Sequence, residues 1–397
     1  MARKRNPQLK LVKPPGKEEQ KNSGSRRRRR WLKSTAGTAV IICMMLTGTY
    51  LLAANHPYTK AHQVKAYEKT FSESSRYVVF RKGIVRYNRN GVAYIDKQNK
   101  ERWIQSSQFS NPAADVNENA FAIGDIGGNF IQVFTEKGLK GEIETPLPIE
   151  KFSVSNQGIV SVLMKNEMSP QIVTYDAAGN ILVENQVTAG ALGYPVGLEM
   201  SPDGTVLAVS CLSTSDGTLV TNIIYYNFGE AGKDKKNLEV TSEVCENSVV
   251  PELFFMDKEV SVAVGDHSFL LFKGKDVPVK QKEIELNQEI RSVFHTDKYI
   301  GFILLNAEKS GFELRLYDKN GKQVLNMQIS GDYSNVQMSG NEIILYEGSQ
   351  ICIITATGVV RYKGSLGTEP LVIAPVNELN QYLMMDANEL QLIKLGD

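Results

Sequence analysis

Tyr317-Asp318-Lys319-Asn320-Gly321 closes an alternating apolar run, and four variants of it stand elsewhere in the chain. They are Ile95-Asp96-Lys97-Gln98-Asn99, Phe134-Thr135-Glu136-Lys137-Gly138, Tyr175-Asp176-Ala177-Ala178-Gly179 and Ile354-Thr355-Ala356-Thr357-Gly358. Each has an apolar strand end, an Asp or Thr, two polar or small residues, and a Gly or Asn. Gly and Asn tolerate positive φ, and an Asp or Thr side chain accepts a hydrogen bond from a backbone amide two residues on. Each copy therefore reads as a hairpin. Neighbouring copies lie about 40 residues apart, the period of propeller blades.

After residue 75 helix-period segments of useful length are hard to find. Short alternating apolar runs dominate, broken by Gly, Asn, Asp and Ser. Eight units are read, beginning near Tyr77, Val116, Phe152, Gly197, Leu253, Ser292, Val336 and Leu371. The sixth shows the plan, with expected strands at Arg291–Phe294, Tyr299–Leu305, Phe312–Tyr317 and Gln323–Ile329. Four short antiparallel strands make a propeller blade. The expected fold over residues 75–397 is all-β, an eight-bladed β-propeller, with seven blades as the alternative. The fourth unit is expanded. It carries the turn Ser201-Pro202-Asp203-Gly204 and a long polar stretch, Phe228–Asn237. The last unit offers three strands, Leu371–Ala374, Gln381–Met385 and Leu390–Leu395. A missing fourth strand leaves an exposed edge. Val64–Phe71, within the juxtamembrane segment 55–74, is expected to complete it.

Charge is +1 overall but unevenly split. Residues 1–33 hold 13 Lys and Arg against Glu18 and Glu19, which leaves about −10 on the remainder. Ser34–Ala54 has no charged residue, and at 1.5 Å per residue it spans roughly 31 Å, the hydrocarbon thickness of a bilayer. Arg26, Arg27, Arg28, Arg29, Arg30 and Lys33 flank its N-terminal side, with Trp31 and Tyr50 where interfacial aromatics are expected. The positive-inside rule puts the N-terminus in the cytoplasm and the chain after about residue 55 outside. The tail 1–33 is basic, and its first 25 residues hold too few large apolar side chains to offset ordering entropy. A cleaved signal peptide is opposed by the long basic leader and the lack of a small-x-small site. A twin-arginine signal rests only on an arginine run before an apolar helix. A buried soluble helix should show a polar face, and this one has none. The arginine run is read as a topology signal that meets anionic headgroups. No nucleic-acid motif lies nearby, so nucleic acid is not an expected partner.

The hairpins and Ser201-Pro202-Asp203-Gly204 make residues 64–397 resemble WD40-like and quinoprotein-like propellers. With the single apolar segment, the chain looks like a member of an uncharacterised family of bacterial membrane-anchored propeller proteins, a domain of unknown function. The Trp-Asp dipeptide of WD40 repeats is absent, and Trp31 and Trp103 are too few for the recurrent tryptophans of quinoprotein blades. No catalytic residue carries over.

The chemistry-bearing residues give no strong motif. Four histidines, His56, His62, His267 and His295, lack metal-ligand spacing; the latter two read as solvated turn residues. No Gly-x-Ser-x-Gly elbow exists. Gly124-Asp125-Ile126-Gly127-Gly128-Asn129 lacks phosphate-loop spacing and reads as a hairpin. Asp318-Lys319-Asn320-Gly321 lacks the later ligands of a calcium loop. Asp257, Glu259 and Asp266 cluster in unit five, and paired acids could serve glycoside hydrolysis. Cys211 and Cys245 share unit four on strands not expected to be adjacent. No catalytic, cofactor-binding or metal residue and no cofactor is therefore expected. The reading is a non-enzymatic, single-pass, extracytoplasmic binding or scaffold module with an envelope protein, peptide or glycan partner. The alternatives are a propeller hydrolase or lyase on envelope polysaccharide, and a signalling or assembly factor using the basic tail.

Overall fold

A computed structural model describes residues 40–68, 75–166, 169–186, 192–306, 311–377 and 379–397. The chain divides after His56 into an N-terminal unit and a second unit, Pro57–Asp397. In the first, residues 40–54 are helical, and Val40, Ile42, Met45, Leu46 and Leu52 stand exposed. Residues 34–39 of the expected span lie outside the described ones. Among the described residues no helix is long and apolar enough to cross a membrane.

The second unit is an all-β propeller of eight four-stranded antiparallel sheets. The first strands of blades one to eight are Arg76–Phe80, Pro112–Val116, Ile149–Val154, Tyr194–Met200, Glu252–Phe255, Ile290–His295, Asn335–Ser339 and Pro370–Asn377. Every unit start read from the sequence falls inside one of them. Second strands such as Phe121–Asp125 and Val160–Met164 are buried at every position, because neighbouring blades cover both faces. Fourth strands such as Glu101–Ser106 alternate between half-buried and exposed, since only one face meets a neighbour. Eight apolar clusters fill the gaps between consecutive blades, including the gap between blades eight and one. The last of these packs Ile84 and Ile95 against Val372, Leu383 and Met385.

The recurrent hairpin explains the regularity. The Asp96, Asp176 and Asp318 carboxylates each accept amide hydrogens two and four residues on, at 2.8–3.0 Å. Thr355 Oγ1 accepts from the Val359 amide at 3.1 Å in the same role. The residue three on takes positive φ in all four, from 58° at Asn99 to 87° at Gly358. The Thr135 copy differs: Thr135 pairs directly with Gly138, giving a tighter turn. Gly124–Asn129 is likewise a hairpin, joining Phe121–Asp125 to Phe130–Thr135. The four cysteines are free, and Cys211 and Cys245 lie on the second and fourth strands of blade four, so no disulfide joins them.

Blade eight takes its fourth strand from the other end of the unit. Lys60–Glu68 pairs antiparallel with Glu389–Gly396, from Lys60 opposite Gly396 to Glu68 opposite Glu389. The strand starts four residues before the sequence reading placed it. A bulge between Gln63 and Lys65 breaks the alternation there, which hides its first half. The same seam holds a buried charge. Arg361, fully buried, donates to the Glu342 carboxylate and the Leu379 carbonyl. The Tyr382 hydroxyl donates to Glu342 at 2.9 Å. Tyr58 lies against the Arg361 guanidinium, 5.4 Å from its ring centre, and its amide donates to the Arg361 carbonyl at 2.6 Å. A buried ion pair adds little net stability over an apolar isostere, but removing one partner is expensive.

Candidate functional site

The hairpins joining first to second strands in blades two to six surround a cleft of about 850 Å³. These hairpins are rich in polar turn residues, and Glu118, Gln157, Lys258 and Asp297 stand exposed on them. The rim is laced from blade to blade. The Asn119 amide donates to Asn156 Oδ1 at 3.0 Å, and the Asn156 amide to the Pro202 carbonyl at 2.9 Å. Lys275 then meets Asp203 at 3.7 Å, and Lys319 pairs with Asp257. These ties run through blades two, three, four, five and six in turn, so the cleft exists before any ligand arrives. Hydrogen bonds from Thr205 and Ser201 outweigh desolvation at Asp203 and hold its carboxyl below the usual range. Lys319 and the Glu259 and Val260 amides do the same for Asp257.

Two carboxyls from first strands lie side by side at the cleft, one of them lining it. Glu199 lines the cleft, and Asp115 lies next to it on blade two. The Ser153 hydroxyl donates to Glu199 Oε2 at 3.1 Å and accepts the Met200 amide at 3.1 Å. The Val154 amide donates to Asp115 Oδ2 at 2.6 Å. Desolvation, and then the charge of Asp115, hold Glu199 well above the usual carboxylate range. Desolvation raises Asp115 to about 6, against the hydrogen bonds from Val154 and Ser153. Two adjacent acids in one desolvated environment each oppose the ionisation of the other. Glu252 of blade five adds to this effect at Glu199, while Lys151 acts on Glu252 in the opposite sense.

His295 ends the first strand of blade six and is not a free turn residue as its sequence context suggests. Its ring stacks on Phe254 of blade five, 3.9 Å between centroids and 5° from parallel. It lines the cleft and its side chain is exposed there. The protein packed around it lowers its pKa.

Of the acids singled out from sequence, Asp257 joins the cleft rim and pairs with Lys319. Glu259 shares its hairpin. Asp266 sits in the hairpin at the other end of Val260–Val264, bonded to Ser248 at 2.8 Å. A five-residue strand, roughly 17 Å long, separates them, so the three do not converge. The acids that do converge, Asp115 and Glu199, carry one readable signal. Each is the penultimate residue of an otherwise largely apolar first strand. Among the described residues no cluster of His, Cys, Asp and Glu could hold a metal ion. Of the topology residues, Arg26–Arg30, Trp31 and Lys33 lie outside the described residues, and Tyr50 is exposed on the 40–54 helix.

The chain belongs to the family described as Family of unknown function (DUF5711), which matches residues 54–395. No curated protein matches it. Among solved structures it is similar to BamB from Moraxella catarrhalis, at 10% identity and a TM-score of 0.51, covering 85% of this chain and all of that one. It is also similar to a eukaryotic initiation factor, at 13% identity and a TM-score of 0.47 over 76% of this chain and 90% of that one. The Pan2 WD40 domain of Neurospora crassa gives 11% identity and a TM-score of 0.44 over 72% and 89%. At these identities the likeness to BamB is one of fold.

Proposed function

We propose that this chain is a membrane-anchored, extracytoplasmic binding module that holds an envelope protein or peptide in the cleft over blades two to six. The observation that carries the binding reading is the cleft itself. It is large enough for a peptide segment, laced in advance by cross-blade bonds, and lined by polar groups over an apolar rim that includes Pro202, Phe255 and Met256. Anchoring rests on the uncharged stretch Ser34–Ala54 and on the exposed apolar side chains of helix 40–54. Arg26–Arg30 and Lys33 would keep the N-terminus in the cytoplasm, with Trp31 and Tyr50 at the two interfaces.

Two measurements in intact cells test this. A cysteine placed in the Ser213–Thr218 hairpin tip should react with an impermeant thiol reagent; protection would reverse the orientation. Chemical crosslinking should recover the same envelope protein repeatedly. Recovery of glycan alone, with turnover by the purified chain, would replace the binding reading with catalysis. That second reading, a hydrolase or lyase, draws its support from the adjacent Asp115 and Glu199, both of which desolvation holds above the usual carboxylate range.

A further inference from the structure

In each blade the hairpin joining first to second strands and the hairpin joining third to fourth strands lie on one face, because alternate strands of an antiparallel sheet run the same way. Cross-blade pairs agree. Lys275 of a third-to-fourth hairpin meets Asp203 of a first-to-second one, and Glu136 likewise meets Arg81 at 3.5 Å. The cleft opens on this face, and the chain enters the ring on it. Lys60 stands opposite Gly396, at the third-to-fourth position of blade eight, and the Thr59 amide donates to the Gly396 carbonyl at 3.1 Å. First strands of neighbouring blades touch and fourth strands are the exposed ones, so the two sets of hairpins form an inner and an outer ring. Charge is sorted between them. Among the described residues the inner hairpins hold four cations against five acids, and the outer hairpins nine lysines against five acids. Lys100, Lys137, Lys235, Lys236 and Lys322 of the outer ring are exposed and make no ion pair among the described residues. On the opposite face the hairpins and inter-blade links hold two cations, Arg89 and Lys165, against five acids among the described residues. Lysines alone would be an ordinary solvated rim. The independent observation is apolar. Leu139, Ile181, Leu182, Val279, Val324 and Val360 are each the first or second residue of a fourth strand, directly after an outer hairpin, and each is 39–59% exposed. They stand on blades two, three, five, six and seven, interleaved with the lysines.

We propose, resting on the anchoring reading above, that this face lies against the bilayer, its outer hairpins seated among anionic phospholipid headgroups. Lysine ammoniums meet the lipid phosphates, and the exposed apolar side chains beside them enter the boundary between headgroups and acyl chains. Covalent reach agrees with charge. The uncharged stretch ends at Ala54, and the six residues from there to Lys60, at no more than ~3.5 Å each, keep the entry point within roughly 20 Å of it. The acidic opposite face would be repelled by the same headgroups. Because the cleft opens on the entry face, its occupant comes from the bilayer side, which selects a partner that is itself held in the membrane.

The test uses the full chain in nanodiscs of phosphatidylcholine, with and without phosphatidylglycerol, doped with a lipid that carries a nitroxide quencher on its headgroup. A fluorescent amino acid is placed at Ala178 or Gln323, beside outer hairpins, or at Thr218 or Gln350, on the opposite face; all four are exposed. With phosphatidylglycerol present, quenching at Ala178 and Gln323 should exceed that at Thr218 and Gln350 at least about threefold. Lys100→Glu, Lys137→Glu and Lys322→Glu together should cut it at least about twofold, and so should high salt, since both weaken attraction to anionic lipid. Equal quenching on the two faces, or stronger quenching at Thr218 and Gln350, overturns the inference. So does quenching at Ala178 and Gln323 that ignores both phosphatidylglycerol and the lysine substitutions. Anchoring is read separately, by alkaline carbonate extraction of vesicles holding the full chain. Release would break the anchoring reading and this inference with it; retention without quenching at Ala178 and Gln323 would break this inference alone.

Discussion

The two sides of the ring are built differently. Blades seven, eight and one form the seam, where Lys60–Glu68 returns to close blade eight and Arg361, Glu342, Tyr382 and Tyr58 bury a charge. Blades two to six carry the cleft, and no residue of blades seven, eight or one lines it. On the seam, the Arg361 charge is sunk into the inter-blade packing and paired with Glu342 there. On the cleft side, carboxyls and an imidazole are left facing an open space, some with no partner. The first arrangement stabilises the ring; the second costs stability and is kept for contact with something else. Variants on the two sides should therefore separate folding from binding.

The largest effect should come from replacing residues 57–68 by a Gly/Ser linker of equal length. The loss of the half-buried Tyr58 and Tyr67 contacts, at roughly 1 kcal/mol each, and of a backbone ladder, at ~1 kcal/mol per bond, should lower stability by about 5 kcal/mol. Thermal unfolding measures it; an unchanged Tm would show that the ring does not depend on this strand. Arg361→Ala comes next. It leaves Glu342 buried and unpaired, so a loss of about 3–5 kcal/mol is expected in denaturant melts. Loss below about 1 kcal/mol would mean the seam charge is not buried in solution.

On the cleft side the sign reverses. Glu199 has its pKa raised in the folded state, so its contribution is fully present below the unfolded value of about 4.3 and is lost as pH rises through the folded value. Glu199→Gln removes that loss. The variant should be more stable than the parent at pH 8, and the gap should vanish near pH 4. A destabilised variant at pH 8 would place Glu199 among the stabilising groups, contradicting the contrast. Smallest of all is the stability effect of Glu118→Lys with Asp297→Lys, within about 0.5 kcal/mol per site because both are exposed. Capture of a partner from the cleft should fall in the same protein.

The seam and the cleft were also unequally legible. Blade starts could be read because each hairpin is local: a carboxylate or hydroxyl, two polar or small residues and a Gly or Asn fix the turn without help from distant chain. The closing strand was half legible. Its apolar alternation is broken by the bulge at Gln63–Lys65, and its partner lies more than 300 positions away. The pairing of the two cleft acids was not legible, although each stands as an acid near the end of a largely apolar strand. Asp115 and Glu199 are 84 positions apart, and only the stacking of blades two, three and four brings them together. His295 looked like a turn residue because its ring partner, Phe254, belongs to the preceding blade. Unit five misled for the opposite reason. Asp257 and Asp266 are near in sequence, but a strand holds them at opposite ends of the blade.

One measurement bears most directly on the claim that the cleft side alone binds. A photocrosslinking amino acid is placed in intact cells at Gln157, in the blade-three hairpin of the cleft, or at Asn341, in the corresponding hairpin of blade seven; both are exposed. The account predicts that one envelope protein is captured from Gln157, that the Glu118→Lys, Asp297→Lys pair reduces its yield, and that Asn341 captures none of it. Equal capture from both positions, or capture from Asn341 alone, would contradict it.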